Sequence, residues 1–248
     1  MSQRSTSQGS TPSGDVLHEI LTRVDAFFDG VFAPLERWLP ELEADLRKQL
    51  QGGRISGAQL AHLVEAGADK ILDATERPLY GAGYCASDAV VSEGNPLAWW
   101  QGPERSLLAS STFGPGQAAI DLVRLEWYRV PERTGQRHVA GPFVDYLCSN
   151  EITITSALPL IVDGEFWGVA CADVLVHSLE GAMLADLAIA DNVTLVNAGG
   201  RVVISTDPDF ETGDRYTGVG VDHSVAELGD EVRVATSERY PFSLIIPV

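Results

Sequence analysis

The sequence predicts an α+β fold, with a helical N-terminal third followed by an antiparallel sheet and intervening helices. Three observations predict it. Apolar residues recur at helical spacing from Val16 to Leu50. From Pro78 the pattern changes to short alternating apolar runs bounded by Gly, Pro and Asn. Two of these runs, "ITITSALPLIV" and "EFWGVACADVLV", flank Asp163-Gly164, a dipeptide that favours the tight primed turn of a hairpin.

In chain order, residues 1–14 are rich in Ser, Thr, Gly and Gln and are expected to form a disordered tail. Residues 15–76 form the helical segment. Pro34 and Pro40 should divide its first part into two or three helical pieces. Ser56 with Gln59 three residues on has the form of a capping box, which opens a second helix running to about Ala74. Residues 77–248 form the sheet-bearing domain. "LYGAGYCAS", "LAWWQG" and "RSLLASS" read as strands, and "GQAAIDLVRLEWY" as a helix leading into Trp127 and Tyr128. "RHVAGPFVDYL" is a strand interrupted by Gly141 and Pro142, and the Asp163-Gly164 hairpin follows. "LEGAMLADLAI" is a helix, "NVTLVNAGGRVVIST" a second hairpin and "SLIIPV" a terminal strand.

Composition excludes some partners. The chain has 17 Lys plus Arg against 35 Asp plus Glu, a formal net charge of -18. Affinity for nucleic acid or an anionic membrane surface rests largely on Lys and Arg, so neither is expected as a partner. Small cations would be attracted over long range. The first fifteen residues contain no apolar stretch of the secretory kind, and no run approaches the length of a membrane span. A soluble cytoplasmic protein is the simplest expectation, although a receptor domain separated from its membrane spans would read the same way.

Catalytic and metal signatures are lacking. Cys85, Cys148 and Cys171 are too few and too widely spaced for a disulfide framework, and they read as small buried hydrophobes. His18, His62, His138, His177 and His223 show no metal-ligand spacing. There is no G-x-S-x-G or G-x-G-x-x-G segment, so no cofactor is expected and an enzyme is not favoured. An acid–base pair made of Asp145 and Asp173 is the one enzymatic reading left open.

One stretch stands apart: "EWY" at 126–128, "GPFVD" at 141–145, "GEFWGVACADV" at 164–174 and "GRVVISTDP" at 200–208. In this order and spacing they resemble Cache sensor domains, PAS-like modules with long N-terminal helices against an antiparallel sheet, and the chain looks like soluble bacterial members. The resemblance implies a non-catalytic ligand-binding sensor acting in signal transduction or transcriptional regulation, with a regulator protein as a further partner. In amino-acid-binding members an Arg-x-Trp-Tyr segment grips the ligand carboxylate and two later aspartates take the ammonium. Here Trp127 and Tyr128 match, Leu125 stands in place of the arginine, and Phe143 stands where tyrosine is common. Asp145 and Asp173 match the ammonium pair.

The resemblance therefore implies a site of Trp127, Tyr128, Phe143, Asp145 and Asp173 for a small amine-containing metabolite. A carboxylate or amino acid gripped by Arg124, Arg129 or Arg137 is the alternative. The chemistry is apt: an ammonium has three donors and no acceptor, and carboxylates beside an aromatic face satisfy it. Plainer roles stay open. Trp127 and Tyr128 are core aromatics on one reading, Asp145 a turn residue, and Asp173 the N-cap of the helix beginning near Leu175. Tyr84, Trp99 and Trp100 either wall the pocket or pack the core. The bulk of Phe27, Phe28, Phe32 and Trp38 suggests surface to spare for a homodimer.

Overall fold

The computed structural model describes residues 14–108, 122–144, 151–189, 191–216 and 232–247. The expected tail up to residue 13, Asp145, Cys148, His223 and the start of the helix expected to lead into Trp127 lie outside them, while Gly14, the last residue of that expected tail, opens the first helix. The expected α+β class with an antiparallel sheet is what the chain forms.

Helix α1 runs unbroken over Gly14–Leu50, with Pro34 and Pro40 inside it. This corrects the expectation of separate pieces. Each proline removes one helical donor and crowds the carbonyl four residues back. Tertiary packing overrides that local cost, because Val31, Phe32, Leu35, Leu42 and Leu46 on both sides of the prolines are fully or almost fully buried. Phe27, Phe28 and Trp38 are buried within the single chain as well, so the surplus surface invoked for a homodimer does not exist there.

A two-residue strand β1 (Ile55–Ser56) leads into helix α2 (Gly57–Leu72). The capping box is present as expected: the Ser56 Oγ accepts from the Gln59 N–H, and the Ser56 N–H donates to the Gln59 side chain. A Cβ on Gly67 would lie 2.0 Å from the Trp38 Nε1, so only glycine lets α1 and α2 approach this closely.

The strands are β2 (Gly81–Ala86), β3 (Val91–Glu93), β4 (Leu97–Gln101) and β5 (Ser106–Leu107), then helix α3 (Glu126–Thr134) and β6 (His138–Val144). The long hairpin of β7 (Ile152–Val162) and β8 (Glu165–Leu175) follows. Asp163 and Gly164 both take positive φ, 54° and 85°, as a primed two-residue turn requires. Helix α4 (Val176–Leu187) precedes β9 (Thr194–Asn197), β10 (Val202–Ser205), β11 (Val232–Thr236) and β12 (Phe242–Pro247).

The chain divides into two compact units. One, Ala26–Leu179, holds an antiparallel sheet of strand order β5-β4-β2-β8-β7-β6. Helix α3 lies against β6, β7 and β8 and builds one apolar cluster with the sheet: Cys85, Leu97, Trp99, Trp127, Tyr128, Ala140, Ala157, Val169 and Cys171. Helix α2 lies against β2 and β4, where alternation puts Ala82, Tyr84 and Trp100 on the opposite face. The other unit, Met1–Asp25 with Glu180–Val248, holds an antiparallel sheet of order β10-β9-β12-β11. Its β9–β10 turn is the expected one at "NAGG", where the Asn197 carboxamide oxygen accepts from the Gly199 and Arg201 N–H groups.

Candidate functional site

Strand register assembles the site. One rung crosses the larger sheet from Gln101 on β4 through Gly81 on β2, Asp173 on β8 and Thr155 on β7 to Ala140 on β6. Side chains on this rung leave the sheet on the face covered by α3. The next rung on one side carries Trp99, Gly83, Cys171 and Ala157, and the rung on the other side pairs Phe143 with Thr153.

Asp173 is buried at 5% exposure within β8. Its Oδ1 accepts a hydrogen bond from the Thr155 Oγ1 at 2.6 Å. A charge-assisted bond of this length orients the carboxylate and offsets part of its desolvation. The N-cap role left open for Asp173 is not met: α4 begins at Val176, so the N-cap position is Leu175 and Asp173 belongs to the strand.

Gly81 lets the Trp99 indole close in beside this carboxylate. A Cβ on Gly81 would lie 2.9 Å from the Trp99 Nε1, 3.3 Å from the Gln101 Cβ and 3.4 Å from the Asp173 Oδ2. The space above the glycine is thus filled on the α3 face by an indole edge, a carboxamide side chain and a carboxylate, and a larger residue would displace the indole. Trp99 in turn meets Trp127 with ring centroids 6.3 Å apart, and Tyr128 meets Phe166 edge-to-face at 5.4 Å.

Trp127 and Tyr128 occupy the first turn of α3, following Leu125 at its N-cap position. Both are buried in the cluster that covers the face bearing Asp173, and Phe143 and Leu125 pack against that cluster. Of the sequence-designated residues, Trp127, Tyr128, Phe143 and Asp173 therefore share one face, and Asp145 lies outside the described residues. Tyr84 and Trp100 project from the opposite face, and the Tyr84 hydroxyl donates to the Trp167 carbonyl at 2.7 Å. Trp99 is the one of these three aromatics on the α3 face.

Two buried polar atoms on this face have no hydrogen-bond partner among the described residues: the Gln101 Oε1 and the Thr153 Oγ1. Sequence reasoning missed Gln101 altogether. Alternation within "LAWWQ" was the available signal, since it places Gln101 with Trp99 and apart from Trp100.

The cations considered for a carboxylate are placed elsewhere or at the surface. Arg137 pairs with Glu36 at 3.0 Å and Asp29 at 3.5 Å and lies over the Phe32 ring at 5.0 Å, so it is committed to α1. Arg124 and Arg129 are exposed. Burial pushes the Tyr128 hydroxyl and the Cys85 and Cys171 thiols up from their ordinary pKa ranges, so this wall stays neutral. No group of His, Cys, Asp and Glu able to hold a metal occurs among the described residues.

No family model and no curated protein matches this sequence. Solved structures do. The ligand-binding domain of the Campylobacter jejuni chemoreceptor Tlp3, in complex with L-norvaline, superposes with TM-score 0.58 at 13% identity, covering 94% of this chain and 87% of that one. The ligand-binding domain of the Pseudomonas fluorescens chemoreceptor CtaA, in complex with L-valine, gives 0.53 at 15% identity, covering 95% and 98%. An extracellular ligand binding receptor from Desulfohalobium retbaense gives 0.54 at 12% identity, covering 93% of this chain and 39% of that one.

The fold is the Cache-type, PAS-like fold of chemoreceptor ligand-binding domains. The expectation of a cytoplasmic location is corrected by the same likeness, which points to the periplasmic or extracellular side. A sensor domain outside the membrane has the polar surface and apolar core of any soluble domain, so composition could not separate the two locations. Among the described residues no helix is long and apolar enough to cross a membrane, which says nothing about location.

Proposed function

We propose that the chain is a non-catalytic sensor domain whose larger unit binds a small molecule through a protonated amine held at Asp173. The observation that carries this reading is a buried carboxylate, bonded to the Thr155 hydroxyl, on the sheet face that Trp127 and Tyr128 cover. A buried carboxylate is costly unless charge or donors meet it, and an ammonium supplies both. Asp145 is the second carboxylate of the proposed site, and Phe143 lines it. Leu125 in place of an arginine and the engagement of Arg137 with α1 favour the cationic half of an amino acid over its anionic half. The bound state would be passed to a signalling partner. The chemoreceptor neighbours that bind L-norvaline and L-valine support a small-molecule ligand of this size.

Three matched probes test the reading by calorimetry: L-valine, isobutylamine, which is valine without its carboxylate, and 3-methylbutanoate, which is valine without its amine. Isobutylamine should bind and 3-methylbutanoate should not. The reverse order would replace the amine reading with a carboxylate sensor. Binding of L-valine alone would make both ends necessary and return the site to the amino-acid class.

A further inference from the structure

We infer that the cleft between the C-terminal turns of α1 and the first turns of α2 is a second ligand site, separate from the proposed amine site, and that it takes a small zwitterion through Asp45 and Lys48.

The cleft has a volume of about 360 Å³ and is lined by Asp45, Lys48 and Gln49 of α1 and by Gln59, His62 and Leu63 of α2. Each triplet has the i, i+3, i+4 spacing of one helix face, so each helix turns one face toward the cleft. The volume lies at the lower end of what small-molecule sites occupy. The whole cleft belongs to the larger unit.

Ion pairing along α1 singles this place out. Glu36 pairs with Arg137, Arg37 with Glu76, Glu41 with Lys70, and Glu43 with Arg47. Asp45 and Lys48 are the charged residues of this stretch whose side chains have no hydrogen-bond or ion-pair partner among the described residues. They are opposite in charge and three residues apart, a spacing at which such side chains are neighbours and attract. Instead each stands unpaired on the wall of the cleft. Gln49 and His62, whose side chains are likewise without such partners, add further hydrogen-bonding groups.

The lining selects the class of ligand. Leu63 is the one apolar residue in it, so an apolar molecule gains little there. A simple anion at Lys48 would meet Asp45 and the chain's net charge of -18, and a simple cation at Asp45 would meet Lys48. A molecule carrying both an ammonium and a carboxylate finds an opposite charge for each end. It is neutral overall, so the net charge does not oppose it. A free amino acid and a short peptide share this chemistry.

NMR titration of the full chain, followed at the backbone amides with glycine and glycylglycine as probes, tests this. Shifts should concentrate at residues 45–49 and 59–63. Tighter binding of glycylglycine would support the site with a peptide as its source, and tighter binding of glycine would support it with a free amino acid. N-acetylglycylglycine, which lacks the ammonium, and glycylglycine amide, which lacks the carboxylate, should each bind more weakly than glycylglycine. Asp45→Asn and Lys48→Met should each weaken glycylglycine roughly two- to fivefold, as the loss of one exposed charge pair does. The exchanged double variant, Asp45→Lys with Lys48→Asp, should restore binding, because the ligand can reverse its direction. Equal binding of the blocked dipeptides, no recovery in the exchanged variant, or no shifts at these residues would overturn the inference. Asp173→Asn keeps the two sites apart. If it removes the glycylglycine shifts while Lys48→Met keeps them, the probe reads the amine site and this inference fails. If it leaves them in place while Lys48→Met weakens them, the second site stands whatever becomes of the amine reading.

Discussion

Thr155 and Gly81 decide what Asp173 can do. The Thr155 hydroxyl donates to a carboxylate at 5% exposure. Thr155→Val should destabilise the chain by roughly 1.5–3 kcal/mol, the range for losing a hydrogen bond to a charged group, read from urea denaturation. Gly81 and Gly83 are neighbours in β2 with opposite expectations. A Cβ on Gly81 meets only side-chain atoms, closest the Trp99 Nε1 at 2.9 Å, whereas one on Gly83 meets the Ala98 carbonyl oxygen at 2.1 Å. Gly81→Ala should push the Trp99 indole away from its place beside Asp173 and cost at least tenfold in isobutylamine affinity with a modest change in melting temperature. Gly83→Ala should force strands apart and cost stability first. Equal behaviour of the two in calorimetry and thermal melts would mean that the Trp99 indole beside Asp173 takes no part in binding.

Asp173 and the aromatic pair were legible in the sequence because they sit in motif-like segments. Gln101 was not, because its significance comes from register: β4 must pair with β2 at Gly81, and β2 with β8 at Asp173, before the two side chains share a rung. No local pattern carries that information.

Among the elements, the hairpin of β7 and β8 was the most legible, since Asp163-Gly164 fixes its turn chemically. Helix α1 was the least. Pro34 and Pro40 are genuine local breakers, and what keeps the helix continuous is burial on both sides of them, which depends on partners distant in sequence. The α1–α2 contact should be sensitive at Gly67. Gly67→Ala places a methyl 2.0 Å from the Trp38 Nε1 and should cost roughly 1–3 kcal/mol by overpacking, with partial recovery in the Gly67→Ala, Trp38→Leu double variant. Additive losses in the double variant would count against the contact.

Strands β2 and β8 also bury Cys85 and Cys171, whose thiols burial pushes up. The sign of the pH effect follows. At about pH 8.5 and above, unfolded thiols release protons that the folded ones keep, so stability is full below that range and falls as pH rises through it. Denaturation midpoints should decline across this interval, and alkylation mapped by mass spectrometry should spare both residues in the native chain at about pH 8.5. Rapid native labelling of either would contradict their burial.

At the level of the whole molecule, the fold class and its antiparallel sheet were readable from the change of hydrophobic period near Pro78, while the location was not. An acidic chain with a net charge of -18 attracts small cations from a distance, and the buried site then discriminates among them at short range. These two effects separate experimentally: raising the salt concentration should weaken amine binding by screening the first, with little change in selectivity among amines.

The most direct measurement is a crystal structure of the chain with isobutylamine bound. The ligand nitrogen should lie about 3 Å from an Asp173 carboxylate oxygen, on the face covered by α3. An amine bound on the opposite face of the sheet, or in the other unit, would contradict the proposed site.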